Sequence, residues 1–211
     1  MSNLNINEIF YSLQGEAKTV GLPTVFIRLT GCPLRCRYCD TEYAFKGNNL
    51  MSIDGILSEV GQYKTPHVCV TGGEPLAQTN SLELLDALVA KGYQVSLETS
   101  GSIDIAPVNP KVSIVMDVKT PDSGEAEQNL WSNMDKLAAK DQVKFVIGSR
   151  QDFDWSVEIL SKYPSGAEVL FSPVFAAVEP RDLAQWILDD RLNVRLQVQL
   201  HKLLWGDEQG R

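Results

Sequence analysis

At 211 residues, 44% of them hydrophobic and 22% charged, the chain has the length of a single domain over 1–211 and material for a sizeable core. Nineteen Lys and Arg against 27 Asp and Glu leave a net charge of -8, which argues against a nucleic-acid surface. No apolar run approaches the roughly 20 residues that a membrane helix needs, and the absence of a recognisable secretory leader makes unpaired thiols in the cytoplasm the expectation.

Taken in chain order, strand-like apolar runs fall at 25–30, 68–71, 94–98, 113–118, 142–147, 167–171 and 193–199. Between them, 52–63, 79–91, 125–139, 153–162 and 180–190 carry apolar residues at helical spacing, as in Leu82, Leu85, Leu88 and Val89, with Gly92 as a helix end. Regular strand–helix alternation predicts parallel βαβ units. Between Ser100 and Lys111 the text is too short and too Pro-rich for a full helix, so the expected α/β architecture is an incomplete (β/α) TIM-like barrel of about six to seven mostly parallel strands, trimmed at that connection. The tail 206–211 is polar and expected to be mobile. Trp131 and Trp155 read as exposed and leave room for a dimer face.

The unusual polar residues gather where the strands end: a cysteine loop after the first, Gly72-Gly73-Glu74 after the second, Glu98-Thr99-Ser100 after the third. Lys119-Thr120-Pro121 follows the fourth, Ser172-Pro173 the sixth, and Gln199 with His201 the last. In α/β barrels the active site is built at that edge, because the βα loops converge there. The pattern predicts an enzyme, or at least a small-molecule binder.

Three of the four cysteines, Cys32, Cys36 and Cys39, are spaced Cys-x₃-Cys-x₂-Cys directly after the apolar run Val25 to Leu29. A 4Fe–4S cluster usually takes four cysteines, and three leave one iron open. A structural zinc site would need a fourth ligand, and a redox pair Cys36-x-x-Cys39 would leave Cys32 unexplained. Cys69, within Val68-Cys69-Val70-Thr71, suits a small apolar thiol packed in a strand.

This cysteine spacing, with Tyr38 before the last thiol, resembles the signature of the radical S-adenosylmethionine (SAM) enzymes, and Thr71-Gly72-Gly73-Glu74-Pro75 resembles the same superfamily's GGEP motif. Phe10-Tyr11-Ser12-Leu13-Gln14-Gly15-Glu16, Val25 to Leu29, Cys39-Asp40-Thr41 and Gln199-Leu200-His201-Lys202 narrow the resemblance to the 7-carboxy-7-deazaguanine synthase family, over about Glu8 to Trp205. The resemblance implies a carbon–nitrogen lyase that contracts the ring of 6-carboxy-5,6,7,8-tetrahydropterin with loss of ammonia, in deazapurine and queuosine precursor biosynthesis. It implies a 4Fe–4S cluster on Cys32, Cys36 and Cys39, SAM at the open iron, a deoxyadenosyl radical, and Mg²⁺ bound through Thr41. Sequence alone would read Asp40-Thr41 as a helix N-cap.

Further roles follow from residue type with that resemblance beside it. Tyr38 and Asp40 flank the ligands and lie against the SAM adenine in the family, although Tyr38 also suits simple packing. Gly72 and Gly73 allow close backbone approach, and Glu74 suits the methionyl amine. Glu98, Thr99, Ser100, Lys119, Thr120 and Pro121 are candidates for the SAM ribose and carboxylate, and Ser172 to Phe175 for the adenine pocket. Arg28 shares a strand face with Phe26 and Thr30, opposite Val25, Ile27 and Leu29, so if the latter set packs against the helices it points into the barrel. There a guanidinium needs an anion: a substrate carboxylate held bidentately, or an internal Glu or Asp. Leu13, Gln14, Gly15 and Glu16 suit the edge of a pterin ring, or a solvated turn, and Thr71 sits where it reaches substrate. His201 is a substrate contact or a satisfied polar residue closing the barrel.

The resemblance also implies an electron-donating flavodoxin or ferredoxin and a homodimer. Two rivals remain at this stage. A glycyl-radical activase would share the cysteine motif without dedicated pterin contacts. A metal-stabilised binding module would supply a fourth protein ligand.

Overall fold

In the computed structural model, residues 2–206 and 208–210 are described. Seven strands run parallel: β2 (Pro23–Leu29), β4 (His67–Gly72), β5 (Gln94–Thr99), β6 (Ser113–Val118), β7 (Gln142–Ile147), β8 (Glu168–Pro173) and β9 (Arg195–Leu196). Two antiparallel strands the periodicity does not announce, β1 (Asn3–Leu13) and β3 (Leu50–Ser52), extend the β2 edge, giving the order β3-β1-β2-β4-β5-β6-β7-β8-β9. Leu13 therefore ends a long strand instead of belonging to a turn. The sheet curves as a partial (β/α) barrel.

The helices α1 (Ile53–Val60), α2 (Ser81–Ala90), α3 (Arg150–Lys162) and α4 (Pro180–Asp189) fall where the periodicity predicts. Ser52 and Ser149 cap α1 and α3, each accepting a backbone N–H two or three residues into the helix. Val25, Ile27 and Leu29 are fully buried with Ile56, Leu84, Leu85 and Leu88, so the apolar face of β2 packs on the helix layer. Phe26 and Arg28 are left facing inward, as strand alternation requires.

Two segments depart from expectation. The 125–139 stretch holds no α-helix but short 3-10 turns at Ala126–Gln128 and Trp131–Lys136, preceded by one at Pro121–Ser123. Asn129 and Asn133 explain the departure, because their side chains take backbone hydrogen bonds that a helix would claim. Asn129 bridges the Lys119 N–H and C=O, and Asn133 donates to the carbonyls of Gly101 and Ile103. Trp131 there stacks on Tyr163, with centroids 4.6 Å apart, and tilts against Trp155. Both tryptophans are half-buried against the core instead of exposed.

The second departure is at the end of the chain. Only Arg195–Leu196 of the 193–199 run pairs as strand, and α5 (Leu200–Trp205) follows. Gln197 turns its amide onto the loop after β1, accepting from the Ala17 N–H (2.6 Å) and donating to the Ala17 C=O (3.0 Å). The Leu200 N–H donates to the Gly15 carbonyl and Gln199 Nε2 to Glu16 Oε1. This seam joins the first and last elements where a complete barrel would have more strands.

Candidate active site

The strand ends and the seam enclose a cavity of about 520 Å³. Cys32, Cys36 and Cys39 line it from the loop after β2; their thiols are unpaired, and burial pushes all three up from the ordinary cysteine value. Beside them β4 ends in Gly72, at φ +146°, and Gly73. A Cβ on Gly73 would stand 2.1 Å from the Gly31 carbonyl oxygen and 2.9 Å from Cys32 Cβ, so only bare backbone fits against the cysteine loop. The Gly73 and Glu74 N–H groups donate to the carbonyls of Leu29 and Gly31, fixing the two loops together.

Glu74 is not part of the lining. Its carboxylate is fully buried and accepts from the Thr99 hydroxyl, the Ser100 N–H and hydroxyl, and the Leu76 N–H. It braces the ends of β4 and β5, so in this fold the groups of this turn that face the cavity are the Gly72 and Gly73 backbone. Thr120, Pro121 and Ser172 also lie behind the wall. The Thr120 hydroxyl meets the Tyr38 hydroxyl at 3.1 Å, Pro121 opens a 3-10 turn, and Ser172 Oγ is buried without a partner among the described residues. Of the Ser172 to Phe175 stretch, Val174 and Phe175 reach the cavity. Burial, aided by Asp117, raises the Tyr38 phenol to about 12, so it is a proton donor at all ordinary pH.

The structure brings together Leu13, Gln14, Gly15, Glu16, Arg28, Tyr38, Asp40, Thr41, Thr71, Gly72, Gly73, Glu98, Ser100, Lys119 and His201 around this one space. His201 packs on Gly15 so closely that a Cβ there would fall 2.1 Å from its Nδ1. Glu98 accepts from Gln14 Nε2 and the Thr71 hydroxyl. Thr41 donates its hydroxyl to Asp40 Oδ1 at 2.7 Å and makes no side-chain cap of the following turn. Lys119 pairs with Asp117 at 3.1 Å. Arg28 has the internal ion pair that its burial demands, Nε to Glu8 Oε1 at 2.7 Å, while also lining the cavity.

Sequence reasoning missed Glu8, Phe10, Tyr43, Asp117 and Lys144. Phe10 stacks on Phe26 (4.9 Å, 7°) as a flat aromatic wall. Lys144 Nζ lies 2.6 Å from Glu16 Oε2 and 3.5 Å from Asp117 Oδ2, and all three side chains are largely buried. Burial opposes the charge on Lys144, yet Glu16 and Asp117 outweigh it and hold the ammonium well above its usual value. Asp117 and Lys144 lie mid-run in strands, and only their presence in otherwise apolar β6 and β7 could have flagged them.

The lining fits a three-cysteine cluster. Three thiols on one loop reach the cavity while Cys69 is sealed inside β4. Among the described residues no three His, Cys, Asp or Glu side chains converge on a single ion, a condition that a multi-iron cluster, with a separate iron for each thiolate, does not impose. The glycine backbone beside it suits a close-lying polar ligand.

Comparison with known proteins agrees with this geometry. The radical SAM superfamily pattern matches residues 26–164. The chain is 43% identical to the 7-carboxy-7-deazaguanine synthase of Chlorobaculum tepidum, over 97% of this chain and 96% of the relative, and 43% identical to that of Koribacter versatilis, over 97% and 98%. The crystal structure of QueE from Escherichia coli superposes with a TM-score of 0.81 at 26% identity, covering 94% of this chain and 95% of that one. No helix among the described residues is long and apolar enough to cross a membrane. With its cysteine loop, glycine-lined cavity and full-length likeness, the chain belongs to the radical SAM superfamily and, within it, to the 7-carboxy-7-deazaguanine synthase family.

Proposed function

We propose that the protein contracts the ring of 6-carboxy-5,6,7,8-tetrahydropterin to 7-carboxy-7-deazaguanine, releasing ammonia. The observation that carries this reading is a single cavity uniting three cluster-competent thiols with an inward-facing guanidinium and a stacked aromatic wall. When bound, the 4Fe–4S cluster and SAM supply a one-electron cleavage that delivers a hydrogen-abstracting radical.

Cys32, Cys36 and Cys39 would hold the cluster, leaving one iron to SAM. The backbone of Gly72 and Gly73 and the Ser100 hydroxyl would receive the methionyl end, with Glu74 holding Ser100 in place. Tyr38, Asp40 and Phe175 border the remaining SAM surface. Arg28 binds the substrate carboxylate, the Phe10–Phe26 pair packs near the pterin ring, and Gln14, Glu16, Thr71, Glu98 and His201 offer donors and acceptors to its edge. Thr41 and Asp40 supply oxygens for one Mg²⁺, a cation that keeps several waters and needs few protein ligands. A flavodoxin or ferredoxin as reductant, a homodimeric state and a cytoplasmic setting complete the proposal. Membership in the synthase family sets aside the activase and the non-catalytic module.

The test is anaerobic: reconstituted protein with dithionite, SAM, Mg²⁺ and 6-carboxytetrahydropterin, read by mass spectrometry. The expected result is 7-carboxy-7-deazaguanine together with 5′-deoxyadenosine, with Cys36→Ser forming neither. Deoxyadenosine without pterin consumption would overturn the substrate.

A further inference from the structure

The register of β1 against β2 changes inside the strand: Ile6 pairs with Leu29, but Glu8 pairs with Arg28 and Phe10 with Phe26. Asn7 is therefore an extra residue, a β-bulge. In an uninterrupted register Asn7 would face Arg28, and Glu8 would stand opposite Ile27 on the core side. The bulge reverses which face each later residue occupies. It carries Glu8 and Phe10 to the cavity face while leaving Ile6 and Ile9 on the apolar one. The Asn7 side chain also donates to the Tyr43 carbonyl, tying the bulge to the 3-10 turn Glu42–Phe45 after the cysteine loop.

On the cavity face, Glu8 Oε1 accepts from Arg28 Nε at 2.7 Å and from the Tyr43 hydroxyl at 2.8 Å. The guanidinium lies near two rings, its Cζ 5.6 Å from the Phe10 centroid and 5.7 Å from that of Tyr43. Arg28 is thus held at its Nε edge and flanked by two aromatic rings. Among the described residues no hydrogen bond is made by its two terminal nitrogens, the pair that takes a carboxylate bidentately.

We infer that Glu8 and Tyr43 are positioning residues that hold Arg28 by its inner edge and present its terminal nitrogens to the substrate carboxylate. The inference rests on the reading of Arg28 as carboxylate anchor. Glu8 acts by geometry as an acceptor, so an amide in its place keeps the effect. Glu8 also offsets part of the Arg28 charge, so that the guanidinium is not left bare in a largely buried position.

The experiment measures steady-state kinetics, and 6-carboxytetrahydropterin and SAM dissociation constants, for Glu8→Ala, Glu8→Gln, Tyr43→Phe, Arg28→Ala and the Glu8→Ala/Arg28→Ala double variant of the holoenzyme. Glu8→Ala is expected to weaken pterin binding and raise KM about 10- to 100-fold, with kcat and SAM affinity within about threefold. Glu8→Gln, which retains an acceptor oxygen, restores most of the loss, and Tyr43→Phe lies between. Adding Glu8→Ala to Arg28→Ala costs nothing further. Effects that multiply in the double variant, or a Glu8→Gln as impaired as Glu8→Ala, would overturn the positioning role alone. Failure of the unaltered protein to bind the pterin would overturn the substrate reading with it.

Discussion

Two parts of the cavity lining are built by different means. The cysteine loop and the Gly72–Gly73 turn meet through backbone: Gly73 and Glu74 donate to the carbonyls of Leu29 and Gly31, at the ends of adjacent parallel strands. The Glu16 region meets through side chains from distant parts of the chain, with Lys144 128 positions from Glu16 and Gln199 183 positions away. Backbone packing needs glycine at fixed positions and tolerates nothing larger. A side-chain network needs charge balance instead, since each buried ion depends on partners from other strands. The first region presents main-chain groups and thiols ready for cofactors. The second presents a preorganised set of ammonium, carboxylates and amides.

The largest effect that separates the two regions is a pH dependence. Burial raises the three thiols above their ordinary value in the cluster-free protein, so they are protonated near neutrality, whereas a cluster takes thiolates. Loading therefore releases protons and strengthens as pH rises, weakening as it falls, by about tenfold per thiol per pH unit below the thiol values. Iron and sulfide content after reconstitution at graded pH measures it. A flat profile would show that the thiols are already ionised before the cluster arrives.

Next in size is Lys144→Met. It strands Glu16 as a buried carboxylate without its cation, while Asp117 keeps Lys119, and the cost expected is about 3–5 kcal/mol, read by urea unfolding of the cluster-free protein. A loss under about 1 kcal/mol would mean that water replaces the lysine and that the network is not balanced as argued. The smallest effect is at the seam. Gln197→Ala removes the partners of both the N–H and the C=O of Ala17, for about 1–3 kcal/mol, with cluster content unchanged. A loss of cluster in that variant would tie the two regions together after all.

The parallel strands, four helices and cysteine loop were legible because their signals are local. Val25, Ile27 and Leu29 alternate with Phe26 and Arg28, and the three thiols lie within one short segment. The 125–139 segment misled because its apolar spacing is helical while Asn129 and Asn133 bind backbone elsewhere. Glu74 misled for a related reason: its motif marks the place, but four donors from β5 and its own turn decide what its carboxylate does. Arg28 was read as needing an anion, and the anion in the folded chain is Glu8, brought to that face by an extra residue in β1 that no periodicity announces.

By itself, the sequence determined most of the parallel strands and four of the helices, the inward direction of Arg28 and the grouping of three thiols, all consequences of spacing along the backbone. Tertiary structure alone decided the partners: Glu8 for Arg28, Glu16 and Asp117 for Lys144, Ala17 for Gln197. The physical reason is that side-chain direction repeats with the backbone's own period and is written locally. The partner that neutralises a buried charge is set by register and by barrel closure, which bring together residues that no local pattern relates.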